Sequence, residues 1–123
     1  MKFTEAVNMQ VRQITGKDIS KEDTTLLKYI SLDAETHIKN FINHSCVPKG
    51  LSYVWVNLTT ARYIEVKLSS NAWQDNELNV PKSIRLGDTT VELTGDDVKT
   101  RLMGAIEALR REDDMKCYRR HKW

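Results

Sequence analysis

Between Asp23 and Asn43, Leu27, Ile30, Ala34, Ile38 and Phe41 recur at helical spacing over about four turns. A 3.6-residue period held that long predicts an amphipathic helix with one apolar stripe. Such a stripe has to be covered by other elements, which commits the chain to a core built by helix packing. Ser20-Lys21-Glu22-Asp23, just ahead of the stripe, resembles a capping box in which Asp replaces the longer Glu. Val47-Pro48-Lys49-Gly50, just beyond it, reads as a turn, because proline presets φ and glycine relaxes it.

Three more helices follow from the same reasoning. Val7, Val11 and Ile14 share one face of a segment that Gly16 stops. Leu51, Val54, Leu58, Ala61 and Leu68 mark a third helix, and Trp55 and Ile64 widen its stripe enough to predict packing on two sides. Val98, Leu102, Ala105 and Leu109 mark a fourth, opened by the cap-like Thr94-Gly95-Asp96-Asp97 and closed by Arg110 and Arg111, where positive charge suits a helix C-terminus. Gly104 inside it costs about 1 kcal/mol relative to alanine. That cost predicts either a close helix neighbour, the preferred reading, or a bend. Between the third and fourth helices, Ser69 to Pro81 is a polar loop with Trp73 as its one large aromatic. Two alternating segments then flank Gly87-Asp88, which suits a tight hairpin turn. A lone two-stranded hairpin is only marginally stable in water, so this one must lie on a helix or on another subunit. The expected fold is mainly α: three to four helices with one short hairpin at about 83–93. Residues 1–111 form the domain, and 112–123 form a separate C-terminal tail.

The 123 residues suit one domain, and 40% hydrophobic with 29% charged residues excludes wholesale disorder. The longest apolar run, Leu102–Ile106, is far short of the roughly 20 residues that a membrane span needs. Met1-Lys2-Phe3 leads into Thr4-Glu5 without an apolar stretch, so the expected site of synthesis and residence is the cytoplasm. The net charge of +2 is unevenly placed: Arg110 to Trp123 holds six Lys/Arg against three acids. A basic cluster of this kind attracts acidic surfaces.

Chemistry-bearing motifs are few. The five glycines form no phosphate-cradling loop. The adjacent acids Asp96-Asp97 and Asp113-Asp114 point apart on a helix and do not make an acid–base pair. His44-Ser45-Cys46 with Cys117 and His121 offers zinc-type ligands but no CxxC-type knuckle, so no metal or other cofactor is expected and the two cysteines read as reduced thiols. Tyr118-Arg119-Arg120-His121-Lys122-Trp123 interleaves aromatics and cations as nucleic-acid binders do, and a small DNA-binding protein using this tail is the alternative reading.

Several segments in order, together spanning about four fifths of the chain, carry a resemblance. They are Glu22-Asp23 with Leu26-Leu27, Ile38-Lys39-Asn40-Phe41, Val47-Pro48-Lys49-Gly50-Leu51, Ala61-Arg62-Tyr63, Ser83 through Val91, Leu109, and Tyr118 to Trp123. In this order they resemble the small head-tail connector (adaptor) proteins of tailed bacteriophages and prophages. The Ser69–Pro81 loop and the acidic Glu112-Asp113-Asp114 depart from that pattern.

The resemblance implies a non-enzymatic virion protein, assembled in the host cytoplasm as a homo-oligomeric ring, usually a dodecamer. Such a ring sits under the portal protein, extends the channel through which genomic DNA passes, and seats the stopper or tail-completion protein; no membrane is involved. It also implies that the C-terminal segment reaches the portal. The expected portal-binding residues are Tyr118, Arg119, Arg120, Lys122 and Trp123, the aromatics for burial and the cations for orientation. Strong binding of DNA phosphates would hinder passage of the genome, which favours portal contacts for these cations. The expected subunit interface is the hairpin, through Ile84, Leu86, Val91 and Leu93.

Overall fold

The computed structural model describes residues 3–19, 21–70, 78, 80–86, 89–95, 97–110 and 115, with only the backbone described at Leu86 and Thr89. Among these are four α-helices, α1 (Phe3–Thr15), α2 (Thr24–Ile42), α3 (Ser52–Ser69) and α4 (Val98–Leu109). Between α3 and α4 stands one antiparallel hairpin, β1 (Ser83–Leu86) and β2 (Thr89–Glu92). The protein is therefore mainly α with a short hairpin, as its periodicity predicts.

Helix α3 is the hub and packs against α1, α2 and α4. It buries Val54, Thr59, Thr60, Ala61, Tyr63 and Ile64, which point in several directions around its axis. Two buried threonines are compatible with this because each hydroxyl donates to the carbonyl four residues back, Thr59 to Trp55 and Thr60 to Val56, both at 2.8 Å. Three apolar clusters line the hub. One joins α1, α2 and α3 through Val7, Val11, Leu27, Ile30 and Tyr63. A second joins the hairpin and α4 to α3, with Ile84, Leu93, Leu102 and Ile106 around Ala61 and Ile64. The third lies where α2 ends and α3 begins and contains Ile38, Ile42, Leu51, Val54 and Met115.

The helix ends follow local chemistry. Helix α1 stops at Gly16, whose φ of 76° belongs to the left-handed region and whose N–H donates to Arg12 O at 2.9 Å. Helix α2 stops on Asn43, also left-handed at φ 59°. The last residue of its stripe is Ile42 rather than Phe41: four residues on from Ile38 keeps the same face, and Phe41 is only half-buried beside it. Asp97 caps α4 by accepting from the Thr100 N–H at 3.0 Å. Asp23, by contrast, makes no side-chain cap to α2, and Ser20 lies outside the described residues. The close-packing reading of Gly104 is corrected: a Cβ there meets only Leu93 Cδ2, at an ordinary 3.8 Å.

The hairpin pairs Ile84 with Val91, Arg85 with Thr90 and Leu86 with Thr89. It lies on its own chain's helices. Ile84 and Leu93 are buried against α3 and α4, and Val91 packs half-buried on the same cluster. These residues were expected at a subunit interface; Ile84 and Leu93 instead belong to the chain's own core and offer almost no surface to a neighbour. The outer edge of β1 is also occupied. Gln13 of α1 accepts from the Arg85 N–H at 2.8 Å through Oε1 and donates to the Arg85 carbonyl at 3.2 Å through Nε2, as a neighbouring strand would.

The tail is likewise not wholly separate from the body. Met115 is fully buried in the third cluster, so the chain returns from α4 to the α2–α3 corner before the final eight residues.

Candidate assembly surfaces

At one joint a charged network fixes two helices. The Asp23 carboxylate accepts from the Tyr63 hydroxyl at 2.6 Å and pairs with Lys67 Nζ at 2.8 Å, tying the start of α2 to α3. Partial burial pushes the Asp23 carboxyl up, but the hydrogen bonds from Lys67 and Tyr63 and the lysine's charge outweigh it, so the group lies below its ordinary range. Asp97 is also lowered, through its hydrogen bonds from Thr100. Both groups are accounted for by structure: one is a joint, the other a cap.

Of the grooves on the outside of the bundle, two border α3. The first, of about 670 Å³, runs between α1 and α3 and is lined by Phe3, Met9, Tyr53, Trp55, Val56 and Arg85 among others. Its floor is rigid. Trp55 Nε1 donates to the Ser31 carbonyl at 2.8 Å, and the Phe3 ring stacks at a tilt on the indole with centroids 4.8 Å apart. One wall is a chain of amides: Gln13 donates to Gln10 at 3.1 Å and Gln10 to Asn57 at 3.2 Å. The same Gln13 grips the Arg85 backbone, and Arg85 also lines the groove. The second groove, of about 510 Å³ between α2 and α3, is polar and is lined by Asp33, His37, Asn40, Arg62 and Arg110. There Arg110 pairs with Glu65 of α3.

The residues expected to bind a portal, Tyr118, Arg119, Arg120, Lys122 and Trp123, lie outside the described residues, as do Cys117, His121 and the side chain of Leu86. Among the described residues no three His, Cys, Asp or Glu side chains converge as metal ligands, and Cys46 is an exposed free thiol. No helix among them is long and apolar enough to cross a membrane.

Sequence periodicity missed the α1/α3 groove. Met9 and Tyr53 fall off the buried stripes and look like ordinary surface positions, and only the folded arrangement places them side by side with Trp55. A hint is visible in retrospect: Trp55 widens the α3 stripe to more than one face.

Compared with protein-family profiles, with curated proteins and with solved structures, the chain has no match in any of the three.

Proposed function

We propose that the chain is a structural head-tail connector subunit of a tailed phage. It joins a ring beneath the portal protein, extends the channel for genomic DNA and seats the stopper or tail-completion protein. The observation that carries this reading is the ordered resemblance from Glu22 to Trp123. A helical body with one hairpin at Ser83–Glu92 accords with it. The role requires no catalytic group or cofactor, and it places the protein in the virion after assembly in the host cytoplasm.

In this reading the last residues dock on the portal. Burial of one large side chain contributes roughly 1.5–3 kcal/mol, and an exposed ion pair about 0–1 kcal/mol. A single tail holding through Tyr118 and Trp123 therefore binds weakly, and repetition around a ring multiplies it by effective concentration. Met115 gives this tail a fixed point of departure at the α2–α3 corner.

Deleting residues 118–123 tests the assignment by co-sedimentation with portals from the same phage. Loss of co-sedimentation is expected. Unchanged portal binding overturns it, and DNA binding that falls steeply with salt and disappears with the deletion favours the DNA-binding alternative.

A further inference from the structure

The two cysteines, Cys46 and Cys117, are far apart in sequence, yet the fold brings their chain neighbours to one place. Cys46 lies in the loop from Asn43 to Gly50, which is held against the third cluster at three points. Ile42 before the loop and Leu51 after it are fully buried there, and Val47 packs on the same cluster. Cys46, next to Val47, therefore stands at the rim of the cluster, with its thiol exposed and free. The fully buried Met115 belongs to this cluster too. Cys117 follows Met115 by two residues and lies outside the described residues.

Chain geometry limits how far each cysteine can stand from the cluster. Consecutive Cα atoms are about 3.8 Å apart, and two residues carry the chain at most about 7 Å from Met115. On the other side Val47 is a single residue from Cys46. A disulfide asks for a Cα separation of about 4.4–6.8 Å, a distance within reach of two cysteines tethered this closely to one cluster.

We propose that Cys46 and Cys117 form a reversible intrachain disulfide that clasps the C-terminal segment to the loop after α2. Oxidised glutathione serves as the oxidant. The Cys46 thiolate attacks one of its sulfurs, giving a mixed disulfide and one glutathione thiolate; the Cys117 thiolate then attacks the Cys46 sulfur and releases the second glutathione. Two protein thiols lose two electrons and two protons, and one glutathione disulfide becomes two glutathione thiols. In the connector reading the chain is made where glutathione keeps thiols reduced, and the virion then passes to an oxidising medium where disulfides persist. The timing of the clasp thus rests on that reading, whereas the bond itself is a property of the chain alone. Once formed, it gives Tyr118 to Trp123 a covalent anchor one residue before they begin.

The test equilibrates the purified full chain in buffers of reduced and oxidised glutathione. Maleimide tagging counts the remaining thiols by mass, and peptide mapping identifies the products. Wild type is expected to lose both thiols as a monomer, with the Cys46 peptide joined to the Cys117 peptide. The effective concentration of one thiol at the other follows from the glutathione ratio at half-oxidation. It is expected to be at least about tenfold higher in native buffer than in urea, where the two thiols end a long open loop. Cys46→Ser changes an exposed position and is expected to keep its fold by circular dichroism. It should stop at a single glutathione adduct and lack the rise in Tm that oxidation gives wild type.

An effective concentration no higher in native buffer than in urea overturns the inference. So do oxidised products that are disulfide-linked dimers or that carry glutathione separately on each cysteine. The timing is scored separately, by extracting the protein from virions and from infected cells into an alkylating reagent. Bonded chain in virions and reduced chain in cells are expected. Virions that hold the chain reduced overturn the clasp's place in the virion. A purified chain that forms the bond but is absent from virions removes the connector reading and leaves the bond standing.

Discussion

Replacing Asp23 by alanine probes the joint that fixes α2 on α3. The carboxylate accepts a hydrogen bond from Tyr63 at 2.6 Å and one from Lys67 at 2.8 Å, and the Asp23 and Lys67 side chains are each only 16% exposed. A hydrogen bond to a charged group contributes about 1.5–3 kcal/mol, and breaking a fully buried ion pair costs about 3–5 kcal/mol. Here the residual exposure lets water reach Lys67, whereas the Tyr63 hydroxyl sits on a ring that is itself buried. The expected loss is therefore about 2–4 kcal/mol, a large part of the roughly 5–15 kcal/mol available to a domain. In a chain of this length that lowers Tm by about 10 °C.

The pH dependence has a definite sign. The Asp23 carboxyl is lowered on folding, so its contribution is fully present above the unfolded value near 3.8 and is lost as pH falls below it. Urea unfolding of wild type and Asp23→Ala at pH 7 and at pH 3 measures both effects. The gap between the two proteins should be wide at pH 7 and narrower at pH 3. A gap under about 0.5 kcal/mol at pH 7, the range of an ordinary surface substitution, or one unchanged by acid, refutes the reasoning.

Other substitutions separate core from surface. Gly104→Ala should stabilise by about 0.5–1 kcal/mol in urea unfolding, because a helix interior favours alanine and its Cβ meets only Leu93 at ordinary distance. Met115→Ala should cost about 2–4 kcal/mol, as for other buried side chains cut to alanine, and a value near zero contradicts its place in the third cluster. Ile84→Asp puts an unpaired carboxylate among buried apolar side chains and should unfold the protein or leave it barely stable, as read by circular dichroism. A stable, folded Ile84→Asp monomer restores the hairpin as an assembly surface.

The parts of the fold legible in the sequence are those set by local periodicity. The α2 stripe, the Gly16 stop, the Asp97 cap and the two strands of the hairpin each depend on residues close together in the chain, although the expected turn residues Gly87 and Asp88 lie outside the described residues. Helix α3 was harder to read because a hub surrounded by three helices buries several faces, and its buried Thr59 and Thr60 look polar until their hydroxyls are seen to bond backward. The pairing on the hairpin's outer edge was invisible because it comes from Gln13, 72 residues before Arg85. Met115 was concealed for a different reason: Glu112-Asp113-Asp114 ends the apolar pattern of α4, and nothing local marks the return to the α2–α3 corner. The α1/α3 groove shares that limit, since single exposed Tyr and Met residues are unremarkable until the fold gathers them.

The central claim is that this chain is a connector subunit, and its most direct test is the mass of the protein in solution with and without portals from the same phage, by light scattering. The account predicts that portals gain a ring-sized mass of this protein, whatever smaller species it forms alone. Portals that gain no mass, with a protein that instead shifts on DNA, contradict it.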